Sequence, residues 1–362
     1  MGAIQSTSLI LMESTIVEGT DTGMRLAVPS DDRVAVVIPA YKVAAHIADV
    51  IAMIPQDVWR IYVVDDNCPQ GSGDHVIANC VDARITVLRH VENQGVGGAV
   101  LTGYEAALND GAHVIVKIDG DGQMDPRLIN HFTTPILNGD VDYTKGNRFF
   151  DLDNVRTMPT LRLIGNAMLS FINKLSTGYW DIFDPTNGYT AIHANVARRL
   201  TVQKISKGYF FESDMLFRLS VLRAVVRDIP MDARYGKETS NLSVRNVVPE
   251  FFWKHVRNFS KRIFYNYYLR DMTVASFQLP IGMVLTLGGA IYGSYHWLIF
   301  AALGSPAPTG TVMLPVMCIL VGTQLLLAFI SHDVNSVPRR PIQEFTSALL
   351  PFQRSPTKVK HH

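Results

Sequence analysis

Between Met272 and His332 the chain has no aspartate, glutamate, lysine or arginine. A charge at the bilayer centre costs about 2.5–3.5 kcal/mol on insertion scales, so spanning helices exclude charge. Roughly 20 apolar residues suffice to cross. The stretch breaks at Leu303–Thr311, a Pro/Gly turn signal, which predicts two membrane helices near 274–302 and 311–332. The alternative is a buried hairpin of a soluble protein, which the length disfavours. Cysteine is also scarce. Cys68, Cys80 and Cys318 are the only three, too few for a disulfide framework or a zinc spacing, and in keeping with a reducing cytoplasm. Net charge is +1, so nothing in the overall balance suggests a nucleic-acid partner. The early apolar run Leu9–Met12 is too short for a secretory signal and lacks a basic flank. There is no GKS or GKT of a P-loop, and no internal repeat.

The charges that are present have an uneven distribution. Lys254, Arg257, Lys261, Arg262 and Arg270 precede the first span, and Arg339, Arg340, Arg354, Lys358 and Lys360 follow the second. The intervening loop has none. The positive-inside rule then puts both ends, and the large N-terminal part, in the cytoplasm, with the protein integral to the cytoplasmic (inner) membrane. Residues 246–270 alternate aromatics, among them Phe251, Phe252, Trp253 and Phe264, with basic residues. Such a segment either lies amphipathically in the membrane interface or packs on the preceding domain. The expected organisation is a flexible segment 1–32, an α/β domain 33–245, an amphipathic juxtamembrane segment 246–272, two transmembrane helices within 273–333 and a polar tail 334–362.

Within the α/β part, apolar strands are expected at Val34–Ile38, Arg60–Val64, Ile85–Arg89 and Val114–Ile118, with helices between them, as in a mostly parallel sheet. Each strand ends in a polar or glycine-bearing turn, which gathers Tyr41, Asp65, Asp66, Gly95 and Asp119 on one edge. The most informative turn is Asp119-Gly120-Asp121-Gly122 after Val114-Ile115-Val116. Two carboxylates one residue apart at the carboxyl end of a buried strand suit a hard divalent cation, which takes oxygen ligands and bridges to phosphates. The run Gly95-Val96-Gly97-Gly98 before a helix either cradles phosphate or lets the helix pack closely.

Pro39-Ala40-Tyr41, Val63-Val64-Asp65-Asp66-Asn67, Asn93-Gln94-Gly95 and Asp119-Gly120-Asp121, in that order, resemble the family 2 inverting glycosyltransferases of the Rossmann-like GT-A fold. The resemblance runs over roughly 33–240. With two C-terminal spans, the chain most resembles the members that glycosylate polyprenyl (undecaprenyl or dolichyl) phosphate. The resemblance implies a nucleotide-sugar donor, with a UDP-hexose favoured over GDP-mannose, a polyprenyl phosphate acceptor at the lipid bilayer, and Mg²⁺ or Mn²⁺. It admits a homo-oligomer. Pro39, Ala40 and Tyr41 would contact the base and Asp66 would accept from it. Asp65 would brace the loop. Asp119, Asp121 and Gln123 would hold the metal and donor, Asp121 most directly.

By the same resemblance, Arg148 in Thr144–Arg148, with Arg162 and Asn166 in Leu161–Asn166, would clamp the lipid phosphate. Asn166 stands where relatives often have serine. Asp184 in Asp184-Pro185-Thr186-Asn187-Gly188 would position or polarise the sugar rather than serve as an essential base. Glu212 would either bind a sugar hydroxyl or form a cap or pair. Arg234, assisted by Lys237, would close over the diphosphate. Asn241 replaces the lysine common there. Two other readings compete: a processive polysaccharide synthase, whose QxxRW motif is absent, and a non-catalytic nucleotide-binding protein.

Overall fold

The computed structural model describes residues 32–150, 160–232 and 244–343. In chain order the elements are β1 (Val34–Ala40), α1 (Ile47–Ala52), β2 (Arg60–Asp65), α2 (Ser72–Asn79), β3 (Ile85–Arg89), α3 (Val96–Asn109) and β4 (Val114–Lys117). Then come α4 (Ile129–Leu137), β5 (Tyr143–Asn147), α5 (Thr160–Thr177), β6 (Thr190–His193), α6 (Phe211–Leu222) and β7 (Val226–Pro230). The chain continues into α7 (Val244–Phe264), a π-helical turn Tyr265–Arg270, and the long helices α8 (Val274–Leu303) and α9 (Thr309–Asn335).

The strands form one seven-stranded sheet in the order β3-β2-β1-β4-β6-β5-β7. Alternate residues feed two cores. Ala35, Val37, Tyr62, Val64 and Ile115 face one way, and Val34, Val36, Ile38, Val63 and Val116 the other. Both faces are covered, so the strands are near-continuous apolar runs, as a parallel sheet requires. The expected strands are all present, the first extended to Ala40. The α/β fold with a mostly parallel sheet, followed by a pair of apolar helices, is the one expected.

One strand runs against the rest. β6 pairs antiparallel with both β4 and β5, Lys117 opposite Thr190 and Lys145 opposite Thr190. The amino end of β6 therefore sits at the carboxyl edge of its neighbours. That reversal delivers Asp184–Gly188, which precedes β6, to the edge where β4 and β5 end.

α8 and α9 pack side by side. A Cβ on Gly282 or Gly289 would lie 3.0 Å from the carbonyl of Gly322 or Pro315, whereas Gly288 faces open space. Both helices are long and apolar enough to cross a membrane, and their apolar windows are only 22% and 17% buried. A soluble core helix would be mostly buried. These helices instead leave Val284, Ile291, Trp297 and Leu320 exposed.

Helix α7 docks on the sheet domain by one face. His255 Nδ1 lies 2.8 Å from Ser176 Oγ, Asn258 donates to Asp214 Oδ1 at 3.1 Å, and Phe251 meets Phe210 edge-on. The opposite face leaves Phe252, Trp253 and Phe264 exposed. The packing of this segment on the preceding domain is thus present on one face. The chain after α9 also returns to the domain. The N–H groups of Ile342 and Gln343 donate to Asp142 at 2.9–3.0 Å, and Gln343 Nε2 donates to the Val141 carbonyl.

Candidate active site

The carboxyl edge of β4 carries the acidic pair, but its neighbour Lys117 was not singled out from sequence. Lys117, the last residue of β4, is buried, and its ammonium bridges Asp119 Oδ1 at 2.9 Å and Glu212 Oε1 at 3.2 Å. Burial alone would lower its pKa. Asp119 and Glu212 outweigh burial and hold the ammonium above its ordinary range. Glu212, in the first turn of α6, is thereby a partner of Lys117. Asp121 turns its Oδ1 onto the Gln123 N–H at 3.0 Å, as a tight loop with a short acidic side chain does. Among the described residues no three His, Cys, Asp or Glu side chains form a ready-made metal cage.

Gly188 closes this edge from the reversed strand. A Cβ there would lie 2.4 Å from Lys117 Nζ and 2.5 Å from Asp119 Oδ2, so the Asp184–Gly188 loop can lie against the acidic pair only without a side chain at that position. From β5, the buried Lys145 ammonium donates to the Asn187 carbonyl. Burial pushes the Lys145 pKa down to about 8, Glu212 and Asp184 draw it back up, and Lys117 lowers it further. Asp184 is buried and held bidentately. Arg148 Nε donates to its Oδ2 at 2.8 Å and Nη2 to its Oδ1 at 3.0 Å. Planar guanidinium matches carboxylate in this way. Arg148 remains partly exposed, its side chain 29% accessible. Beneath them Asp228 accepts from Asn147 Nδ2 and the Phe183 N–H, each at 3.0 Å. Burial pushes its pKa up to about 6, against the Phe183 hydrogen bond and Lys145, which lower it.

On the β1–β2 side, Pro39 is half-buried, Ala40 is buried, and Tyr41 is exposed beyond the strand end. Lys42 Nζ lies over the Tyr41 ring, 5.3 Å from its centroid. Asp65 accepts from the N–H groups of Cys68 and Gly73 at 2.7 and 2.8 Å. Asp66 is also turned inward. Its Oδ1 accepts from the Gln94 N–H at 2.8 Å and meets His90 Nδ1 at 2.7 Å, and its Oδ2 accepts from the Gly95 N–H at 2.8 Å. A base would reach only the remaining lone pair of Oδ2. The glycine run packs rather than opens: Gly97 donates its N–H to the Lys207 carbonyl at 2.8 Å, and a Cβ on it would meet the Ser206 carbonyl at 2.6 Å.

Asp119, Asp121, Gln123, Arg148, Asp184 and Glu212 thus gather on one edge, with Tyr41 and Asp66 on its β1–β2 flank. Arg162 and Asn166 stand one turn apart on α5, Asn166 half-buried. The Arg162 side chain, and all of Arg234 and Lys237, lie outside the described residues. Lys117 had one signal in the sequence, a charged residue that closes an otherwise apolar strand; Lys145 and Asp228 are the central residues of strands that carry other polar side chains and had none.

Residues 35–201 match the family model described as Glycosyl transferase family 2. A UDP-N-acetylglucosamine–dolichyl-phosphate N-acetylglucosaminyltransferase of Methanococcus voltae is 28% identical over 57% of this chain and 87% of its own length. An undecaprenyl-phosphate mannosyltransferase of Micrococcus luteus is 28% identical over 55% and 82%. Among solved structures, glucosyl-3-phosphoglycerate synthase from Mycobacterium tuberculosis, in complex with Mn²⁺, UDP and glucosyl-3-phosphoglycerate, superposes with a TM-score of 0.48 at 17% identity, over 64% of this chain and 80% of that one. Over residues 35–201, the segment that runs from β1 to β6 and carries the acidic pair at the carboxyl edge of the sheet, the chain matches glycosyl transferase family 2.

Proposed function

We propose that this glycosyltransferase moves a hexose from a nucleotide sugar to a polyprenyl phosphate at the cytoplasmic face of a membrane, with inversion at the anomeric carbon. One observation carries the reading. The edge bearing Asp119 and Asp121 also bears the Arg148–Asp184 pair, and the helix following Arg148 presents an apolar stripe. Ile164, Met168 and Phe171 are exposed on α5 at the four- and three-residue steps of one helix face. Phe252 and Trp253 are exposed on α7, and α7 leads into two helices of membrane length. A soluble donor and a lipid-borne phosphate meet naturally at such a surface. Relatives named for dolichyl and undecaprenyl phosphate support the same acceptor.

A phosphate monoester has a second pKa near ~6 and is largely dianionic at neutral pH, so it needs no general base. Its oxygen attacks the anomeric carbon, the bond from that carbon to the diphosphate oxygen breaks, and the nucleoside diphosphate leaves with the electron pair. Arg148 orients the attacking phosphate with its exposed edge while keeping Asp184 fixed. Asp184, buried and bonded to Arg148 and Asn187, fixes the loop that faces the sugar. Tyr41 provides the exposed ring for the base.

A divalent cation fits this site in a particular way. Lys117 occupies Asp119 Oδ1, so Asp121 is the better carboxylate for it, assisted by Gln123. Mg²⁺ is commonly held by one or two carboxylates plus substrate phosphates, without a full protein cage. When bound, the cation supplies charge neutralisation of the diphosphate.

The test uses purified protein in detergent with undecaprenyl phosphate and Mg²⁺ or Mn²⁺, against UDP-sugars first and GDP-mannose second. Acceptor-dependent release of nucleoside diphosphate with a glycolipid product is the expected result. Asp121→Asn should lower that rate by about 100-fold or more, ~2.7 kcal/mol of barrier, with the far-UV spectrum unchanged. Release that ignores the lipid would remove the acceptor assignment.

A further inference from the structure

A cavity of about 960 Å³ lies where the sheet domain, the end of α7 and the two apolar helices meet. Its lining includes Met272 and Thr273, at the start of α8, and His332 and Asn335, at the end of α9. It therefore opens at the level where both helices would leave a bilayer. It is remote from the acidic pair. Arg223, which lines it, precedes β7, and Ile342, on its rim, is bonded to Asp142 just before β5. Both mark the amino edge of those strands, opposite the edge that carries Asn147 and Arg148. α5 descends between the two edges over 18 residues, about 27 Å of helix.

The cavity is rich in guanidinium and holds buried polar atoms without partners among the described residues. Arg262 is buried, 2% exposed. Its two Nη atoms are committed to Asp333 at 2.6 and 3.0 Å, while its Nε has no acceptor. Arg270 is fixed by the Val221 carbonyl and by the Tyr265 ring, 4.7 Å from its Cζ, and its Nη1 has no acceptor. Asn266 Oδ1 is buried without a donor. Arg339 and Arg340 also line the space, and neither makes an ion pair among the described residues. Buried N–H groups without acceptors are costly and rare, and guanidinium edges suit phosphate oxygens.

We infer that this cavity binds the phosphodiester headgroup of an anionic membrane phospholipid of the phosphatidylglycerol type. Arg262 Nε, Arg270 Nη1, Arg339 and Arg340 take the phosphate, and Asn266 Oδ1 accepts from a headgroup hydroxyl. The site is separate from the reacting phosphate and tethers the domain to the bilayer surface.

Native mass spectrometry of the delipidated full-length protein tests this, with titrations of phosphatidylglycerol, phosphatidylcholine, undecaprenyl phosphate and inorganic phosphate. One saturable phosphatidylglycerol per chain is expected, displaced by none of the other three. Arg339→Glu with Arg340→Glu, both on exposed side chains, should weaken retention roughly tenfold or more without lowering the melting temperature. Asn266→Leu should erase the preference for phosphatidylglycerol over phosphatidic acid. Equal retention of phosphatidylcholine, unchanged binding in the charge-reversed variant, or displacement by inorganic phosphate would each overturn the proposal. Stoichiometric displacement by undecaprenyl phosphate would also overturn it, by assigning the cavity to the acceptor.

Discussion

Lys117 is the residue on which the acidic pair depends. It is buried between Asp119 and Glu212, so its removal strands a charge rather than merely deleting a contact. Breaking a buried pair from one side costs about 3–5 kcal/mol, and we expect Lys117→Met to lie within that range by denaturant unfolding. Adding Glu212→Gln should recover part of the loss, since the second change removes the orphaned carboxylate. Additive destabilisation would contradict the bridging role. Arg148 is partly exposed, so solvent screens its pair with Asp184. Arg148→Ala should cost only about 1–3 kcal/mol of stability, yet depress turnover with polyprenyl phosphate far more than nucleotide binding measured by calorimetry. The acidic pair was legible because two carboxylates follow an apolar strand. Lys117 and Lys145 were less so. A lysine within a strand looks like a solvated edge until the neighbouring strands bury it.

At the scale of elements, the reversed strand β6 and the docked helix α7 each make a claim that can be tested. Gly188→Ala would drive a methyl group into Lys117 Nζ and Asp119 Oδ2. It should reduce activity sharply while leaving Asp121 in place, and nucleotide affinity with and without Mn²⁺ reports whether the metal dependence survives. In α7, burial lowers the His255 pKa to about 4, so the folded state holds a neutral imidazole against Ser176. An unfolded histidine titrates near ~6.5. The stability this group contributes is thus complete above that value and is lost as pH falls toward about 4, on the order of 2–3 kcal/mol in all. The stability gap between wild type and His255→Asn should narrow on acidification from pH ~7.5 to ~5, and Asp228, which titrates oppositely, is common to both proteins. Parallel melting curves at every pH would exclude the docking role. The amphipathic pattern of α7 was visible in sequence, whereas β6 was not among the expected strands. The direction of β6 was not legible, because four residues, the first three of them buried, carry no sign of which way they pair.

For the whole molecule, Asp333 joins the parts. Near the end of α9 it accepts from Arg262 Nη1 at 2.6 Å, Tyr267 OH at 2.6 Å and Trp180 Nε1 at 2.9 Å, linking the helical pair, α7 with its π-helical turn, and the sheet domain. Asp333→Asn should cost about 3–5 kcal/mol and raise the rate of limited proteolysis between the domain and α8. An unchanged cleavage rate would mean that the contact does not couple them. With α7 docked before the pair and Ile342–Gln343 docked after it, both ends of the helical hairpin lie on the domain's side. The sequence by itself determined the alternating strands and helices, the acidic turn and the two apolar helices, because each rests on local periodicity or on the cost of charge in lipid. Only the tertiary structure decided that Asp184 meets Arg148, that Lys117 secures Asp119, and that five arginines surround one cavity beside the apolar helices. Those contacts join residues far apart in the chain, and their free energy depends on burial that no local pattern records.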